Sequence, residues 1–206
     1  MSSSPHLSSG VKKWIQMLAL VCSAALASAD GTAPNLFRVH SMTDSKGALH
    51  RIPERRNAKA VVLVFLGTEC PISQRYIPEL NRIAGAQETN AVEFYGVVAG
   101  RTMTPPRADA FATEYGLKFP LLCDSDLRLA RWLRPTHVPQ AYVLKSDGDI
   151  VYRGRIDDGY EGIGKPRTVV QHHELRDAIT AVLAGRTPDR FFAPPVGCYF
   201  EELSRP

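Results

Sequence analysis

Apolar and polar residues follow one another in blocks along this chain, and the blocks predict strands and helices in alternation. Residues 61–66 are all apolar, and such a run predicts a strand over 61–67 that is buried on both faces of a sheet. Apolar residues then recur at helical spacing from Pro71 to about Ala84, which predicts a helix that begins with proline, a residue favoured in a first helical turn. The remaining blocks predict strand 92–98, helix 105–115, strand 119–122, helix 124–133, strands 141–144 and 150–156, and helix 168–183.

This order of elements predicts an α/β fold with a central mixed β-sheet flanked by helices. Asp147-Gly148 is a strong hairpin signal between the last two strands, and a first hairpin is predicted within 35–52 with its turn at 44–47. The segment 186–206 is rich in proline and also contains four aromatic residues. We therefore expect an extended tail that packs on the domain, because a solvated tail would not be so aromatic.

The first 29 residues have the pattern of an export signal. Lys12 and Lys13 precede a mostly apolar stretch at 14–26, and Ala27-Ser28-Ala29 is a small-residue cleavage site. The apolar stretch is shorter than the roughly 20 residues that span a bilayer, although a retained anchor is the alternative. We expect a periplasmic or secreted domain over 30–206, with no stable membrane insertion after the signal is cleaved.

Charge and motifs exclude some classes of partner. The net charge of +4 becomes smaller when Lys12 and Lys13 leave with the signal, and a charge this mild does not indicate a nucleic-acid partner. A glycine-rich phosphate-binding fingerprint is absent from the sequence, so no organic cofactor is expected.

Cysteines carry the candidate chemistry. Cys70 is predicted to lie between the carboxyl end of the buried strand and the start of the next helix, whose partial positive charge favours the thiolate. Cys123 ends an apolar strand and is interpreted as a core residue, whereas Cys198 lies in the tail. Three cysteines remain after export, so at least one stays unpaired within a monomer, and a pair plus one buried thiol is the simplest arrangement.

Several segments together resemble a thioredoxin-like redoxin of the group related to alkyl hydroperoxide reductase and thiol-specific antioxidant proteins. Cys70 at a helix start with Pro78 eight residues later resembles thioredoxins, and His137-Val138-Pro139 resembles the loop that contains the cis-proline of the family. The stretch 151–158 and the tail segment 195–198, which ends in Gly-Cys, resemble the exported bacterial subgroup. The resemblance covers roughly residues 35–200.

The resemblance implies a thioredoxin-like fold and a thiol-based redox activity. Cys70 would attack a protein disulfide or a peroxide, and Cys198 would act as the resolving cysteine, close enough to Cys70 to form a disulfide. Val138-Pro139 would be cis, and Pro139 would shape the substrate groove against Cys70. The choice between the two substrates and the identity of the reductant stay open.

The sequence departs from both family patterns around Cys70. Ser73 stands where a thioredoxin-type exchanger has its second cysteine, so the segment from Cys70 through Pro71 to Ser73 cannot form a local disulfide. Thr68 lies two residues before Cys70, whereas a typical peroxiredoxin has a threonine three residues before its cysteine. Thr68, Pro71 and Ser73 are therefore expected to shape the active site rather than to reproduce either family's motif.

Two other classes of protein remain open at this stage. A copper-binding protein with the thioredoxin fold would use soft ligands such as Cys70, Cys198 and His137. A non-catalytic binding module would keep the redoxin fold and would retain its function when Cys70 is replaced. Cys198 could also be a free tail thiol or form an intermolecular link.

Overall fold

The computed structural model describes residues 41–87 and 91–203, so the predicted signal segment lies outside the described residues. The described strands are β1 Ser41–Thr43, β2 Leu49–Arg51, β3 Ala60–Phe65, β4 Val92–Ala99, β5 Leu121–Asp124, β6 His137–Val138, β7 Gln140–Lys145, β8 Ile150–Gly154, β9 Tyr160–Gly162, β10 Lys165–Pro166, β11 Phe192–Ala193 and β12 Cys198–Tyr199. The described helices are α1 Pro71–Gly85, α2 Pro105–Glu114, α3 Arg128–Leu133 and α4 Glu174–Leu183.

A six-stranded mixed sheet organises the fold, in the order β11-β8-β7-β3-β4-β5. β3, β4 and β5 run parallel, and β7 lies antiparallel to both β3 and β8. All six residues of β3 are buried, since it has a neighbour on each edge and its apolar side chains are covered on both faces. The prediction of a central mixed sheet flanked by helices is confirmed, and β3 is its central strand.

The helix after β3 follows the predicted pattern. α1 buries Ile72, Ile77, Leu80 and Ile83 on one face, at the spacing that brings residues to the same side of a helix. α4 lies against β7, β8 and β3, whereas α2 and α3 lie against β5. Within the described part of the chain, no helix is long and apolar enough to cross a bilayer.

The region after β8 differs from the prediction. α4 begins at Glu174 rather than at residue 168, and the residues before it are held to a loop instead. The buried Asp158 carboxylate accepts hydrogen bonds from the backbone N–H groups of Gln171 (2.8 Å) and His172 (3.0 Å). These N–H groups therefore face the loop and not a preceding helical turn. The short β9–β10 hairpin was not predicted.

Two smaller differences concern β5 and α3. The strand lies at 121–124 rather than at 119–122, and the residue that precedes α3 is Leu127 rather than Asp124. The Asp124 carboxylate still accepts hydrogen bonds from the N–H groups of Leu129 (3.3 Å) and Ala130 (2.8 Å). The predicted capping interaction is therefore present, but it is made from the end of the strand.

The tail is extended and packs on the domain, as predicted for the fold. It first adds β11 to the sheet edge, parallel to β8, with Ala193 opposite Gly154. Gly154 has φ +147°, and a Cβ there would lie 2.0 Å from the Ala193 carbonyl oxygen, so the two strands can approach only at a glycine. The tail then leaves the sheet, and β12 pairs antiparallel with β6.

Candidate active site

Cys70 lies at the junction between β3 and α1. Its backbone N–H donates to the Gly67 carbonyl (3.1 Å), and it is the residue immediately before α1, which begins at Pro71. The side chain is only 2% exposed. The predicted position at a strand's carboxyl end and a helix N-terminus is therefore the position in the structure, and the partial positive charge of the helix acts on the sulfur.

The loop between β6 and β7 covers one side of Cys70. The Val138-Pro139 peptide is cis, as predicted, and the structure contains a second cis peptide at Ile52-Pro53 that was not predicted. The protonated Cys70 thiol donates a hydrogen bond to the Val138 carbonyl at 3.1 Å. Pro139, the next residue, is also buried.

The tail brings Cys198 to the same point. Cys198 is paired in register with Val138 through β12 and β6. Cys70 and Cys198 both line one cavity, and each thiol affects the ionisation of the other. Gly197 permits this approach, because a Cβ there would lie 2.0 Å from the Val138 carbonyl oxygen. Both cysteines are free thiols, and the predicted long-range approach of the tail to Cys70 is present.

Hydrogen bonds give the two thiols opposite tendencies to ionise. Burial opposes ionisation of Cys70, but hydrogen bonds from the Cys198 side chain, the Ser73 N–H, the Cys198 N–H and the Ser73 hydroxyl outweigh burial and lower the pKa of Cys70. Burial and then the hydrogen bond to Cys70 raise the pKa of Cys198 to about 11. Cys70 is thus the more readily ionised thiol of the pair, and Cys198 is the thiol that favours its ionisation.

Ser73 is completely buried in the first turn of α1. Its hydroxyl oxygen accepts a hydrogen bond from the Gly67 N–H at 3.1 Å. An interaction of this hydroxyl with the Cys70 thiol contributes to the lowered pKa of Cys70. Ser73 therefore stabilises a Cys70 thiolate at the position where a thioredoxin-type motif would place its second cysteine.

The turn before Cys70 is held by a contact with α1. The Gln74 side-chain amide donates to the Thr68 carbonyl at 2.8 Å, which links the turn to the helix. Thr68 is half-buried and borders the cavity beside Cys70, whereas Pro71 is exposed at the start of the helix.

A cavity of about 500 Å³ opens beside the two cysteines. The β3–α1 turn and the tail form two of its sides, and the residues that follow β4 form another, with Met103 and Arg107 among them. Neither Met103 nor Arg107 was predicted as a site residue. Their location follows from topology, because parallel β3 and β4 end at the same edge of the sheet, and that relation was the only available signal.

Cys123 does not belong to this site. It lies on β5, which is separated from β3 by β4, and burial raises its pKa to about 11. His137 is paired with Tyr199 through β6 and β12, with ring centroids 4.8 Å apart. Across residues 41–87 and 91–203 no three His, Cys, Asp or Glu side chains are grouped so that they could hold a metal ion, so the copper alternative gains no support.

The fold and the site define a thioredoxin-like redoxin, as the sequence predicted. Residues 32–153 match the model of the AhpC/TSA family, and the chain belongs to that family. It is 28% identical over 119 residues to the thiol-disulfide oxidoreductase ResA of Geobacillus kaustophilus, a match that covers 58% of this chain and 64% of the relative. The match thus spans less than two thirds of that relative's length.

Solved structures show the same fold. A hypothetical protein from Sinorhizobium meliloti superimposes with a TM-score of 0.68 at 25% identity, covering 78% of this chain and 88% of the other. A secreted disulfide oxidoreductase from Mycobacterium tuberculosis superimposes with a TM-score of 0.52 at 20% identity, covering 74% of this chain and 99% of the other. The second comparison concerns the fold alone.

Proposed function

We propose that this protein is an exported thiol–disulfide oxidoreductase in which Cys70 is the nucleophile and Cys198 is the resolving cysteine. The observation that carries the proposal is that the tail pairs Cys198 with Val138, whose carbonyl accepts the hydrogen bond from the buried Cys70 thiol, so that both cysteines line one cavity. Ser73 stands where a thioredoxin-type motif has its resolving cysteine, so a resolving thiol has to come from elsewhere in the chain, and the tail supplies Cys198. The thiol-disulfide oxidoreductase relatives support the same reaction class.

The reaction proceeds in two exchanges. The Cys70 thiolate attacks one sulfur of a protein disulfide, a Cys70–substrate disulfide forms, and the other substrate sulfur leaves as a thiolate. Cys198 then loses its proton and attacks the Cys70 sulfur, which forms the Cys70–Cys198 disulfide and releases the second substrate thiolate. The substrate gains two electrons, and an external dithiol must return the enzyme to its reduced form.

The two pKa directions order these exchanges. Cys70 attacks first because its pKa is lowered, whereas Cys198, with a pKa of about 11, stays protonated beside it. The hydrogen bond to the Cys70 sulfur contributes to the raised pKa of Cys198. That contribution weakens once Cys70 is part of a mixed disulfide and carries no charge, so Cys198 becomes a better nucleophile at the second step.

Stopped-flow kinetics on variants in which one cysteine at a time is replaced by serine test the proposal. With insulin as the disulfide-bonded substrate, Cys198→Ser should accumulate a covalent Cys70–substrate disulfide. Cys70→Ser should form no adduct at all. Cys123→Ser is the matched control and should cycle like the wild type. Equal activity of Cys70→Ser and wild type would contradict the proposal and favour a binding module.

The same assay separates the two possible substrates. With a peroxide, Cys70 would be oxidised to a sulfenic acid and Cys198 would condense with it to the disulfide, releasing water. We expect the reduced protein to react faster with the protein disulfide than with hydrogen peroxide. Faster oxidation by peroxide would reassign the substrate but keep both cysteine roles.

Export is part of the proposal because a disulfide cycle that closes through a tail thiol suits an oxidising compartment. The sequence pattern of residues 1–29 places cleavage after Ala29. Sequencing the N-terminus of exported protein should give Asp30, and protein that still begins at Met1 in a membrane fraction would contradict cleavage.

A further inference from the structure

The tail covers the nucleophile that it serves. β12 occupies the edge of β6 through the pairs Cys198–Val138 and Tyr199–His137, and Cys70 beneath it is 2% exposed. A small molecule can enter the cavity of about 500 Å³ beside Cys70. A disulfide that belongs to a folded or partly folded protein is attached to bulk that does not fit there.

The attachment of the tail at this point is limited. β12 has two residues, the Phe200 N–H donates to the Thr136 carbonyl at 2.9 Å, and the Phe200 ring packs edge-on against Phe65 with centroids 6.0 Å apart. Tyr199 remains 73% exposed. Val196, Cys198 and Phe200 pack against the core but are only partly buried, and short pairing with partial burial is a feature of segments that open locally at low free-energy cost.

We propose that residues 196–200 compete with the substrate for the edge of β6, on which a protein substrate would dock. A protein disulfide then reaches Cys70 only when this segment leaves β6. This inference rests on the proposed function. When the tail leaves, the backbone groups of His137 and Val138 lose their partners, and an extended segment of the incoming protein can pair with them in its place. The substrate class is therefore an extended, cysteine-bearing segment.

The competition also explains how the product leaves. After the first exchange the substrate is held at Cys70 by a disulfide, and Cys198 can attack that bond only if β12 returns to β6. Its return displaces the substrate strand in the same step that breaks the mixed disulfide. Opening of the tail thus favours the first exchange, and closing of the tail favours the second.

Gly197→Ala tests the competition without touching a thiol. A Cβ there would lie 2.0 Å from the Val138 carbonyl oxygen, so the variant should populate the detached tail. Phe200→Ala is a second variant that weakens the same attachment through Phe65. Gly85→Ala is the matched control, because a Cβ at that position meets nothing within 4 Å.

Two measurements should change in opposite directions. The first measurement uses a Cys123→Ser/Cys198→Ser background and a maleimide attached to a polyethylene glycol of about 5 kDa. Labelling of Cys70 by this reagent should become about tenfold faster or more in Gly197→Ala, because the fraction of molecules with an accessible Cys70 limits the apparent rate. Labelling by iodoacetamide should change much less. With Cys198 present, the equilibrium constant for forming the Cys70–Cys198 disulfide from glutathione disulfide should fall by about tenfold, because the effective concentration of the tail thiol falls.

Each outcome has one meaning. The competition is supported if Gly197→Ala and Phe200→Ala both show faster labelling by the bulky maleimide and weaker disulfide formation. Gly85→Ala should show neither change. Unchanged bulky labelling in both tail variants overturns it while the proposed function stands, provided that the wild type still forms the disulfide. A wild-type protein that forms no Cys70–Cys198 disulfide in any glutathione buffer overturns the proposed function itself.

Discussion

Replacing Ser73 by alanine removes a buried hydroxyl group that lowers the pKa of Cys70. Ser73 is fully buried, accepts a hydrogen bond from the Gly67 N–H at 3.1 Å, and contributes through its side chain to the lowered pKa of Cys70. Alanine keeps the helix and the backbone N–H that also faces the sulfur, so the substitution isolates the hydroxyl. We expect the pKa of Cys70 to rise and its reactivity near neutral pH to fall.

The size of the effect follows from the hydrogen bond to a charged group. Such a bond contributes about 1.5–3 kcal/mol, and each 1.4 kcal/mol corresponds to a factor of about ten. The thiolate population below the pKa should therefore fall about 10- to 100-fold. A more basic thiolate is also a stronger nucleophile, with a Brønsted slope of about 0.4–0.5, so the net loss of rate should be about 3- to 10-fold.

The rate of Cys70 alkylation by iodoacetamide as a function of pH measures this effect. The profile of Ser73→Ala should shift to higher pH, and its plateau at high pH should equal or exceed that of the wild type. Ser146→Ala, at an exposed position in the β7–β8 turn, is the control and should leave the profile unchanged. A Ser73→Ala profile that coincides with the wild-type profile would refute the account of thiolate stabilisation.

Three further substitutions test other parts of the structure. Burial opposes ionisation of Asp44, but hydrogen bonds from His50 and from the N–H groups of Lys46 and Ala48 outweigh burial and lower its pKa. The stability that the Asp44 carboxylate contributes is therefore full above its unfolded pKa of about 3.9. This stability is lost as the pH falls through the lower folded pKa. Asp44→Asn should therefore reduce the free energy of unfolding at pH 7 by about 1–3 kcal/mol and flatten its decline below about pH 4, as measured by urea titration. Gly154→Ala should detach β11 and reduce the free energy of unfolding by about 1–3 kcal/mol in the same assay. Gly162→Ala should change this free energy little, because a Cβ added there would meet nothing within 4 Å. Cys123→Ser should leave turnover within about twofold of the wild type, because Cys123 lies on β5, beyond β4, and does not line the cavity beside Cys70 and Cys198; a larger loss would assign Cys123 a role.

Local order along the chain made the position of Cys70 predictable. The apolar run of β3, then Cys70, then the amphipathic helix beginning at Pro71 are consecutive, so their spatial relation follows from the secondary structure that each segment prefers. The cis geometry of Val138-Pro139 was predictable only through the resemblance of its loop to the thioredoxin family, because most X–Pro bonds are trans.

Long-range contacts account for what the sequence did not reveal. The start of α4 depends on Asp158, a buried carboxylate that binds backbone N–H groups 13 and 14 residues away, and no local pattern announces such a bond. Met103 and Arg107 reach the cavity because β4 lies beside β3. The aromatic content of the tail predicted that it packs on the domain, but not that β12 would pair with β6 directly above Cys70.

The central claim is that Cys70 and Cys198 form a cycling pair. Equilibrating the Cys123→Ser variant in glutathione buffers and quenching with acid gives the midpoint potential of their disulfide. The account predicts a fully reversible disulfide with a potential above roughly −300 mV, the range of catalytic and labile bonds. A potential well below that range would mark a structural staple, and either that result or the absence of the disulfide under oxidising conditions would contradict the redox cycle.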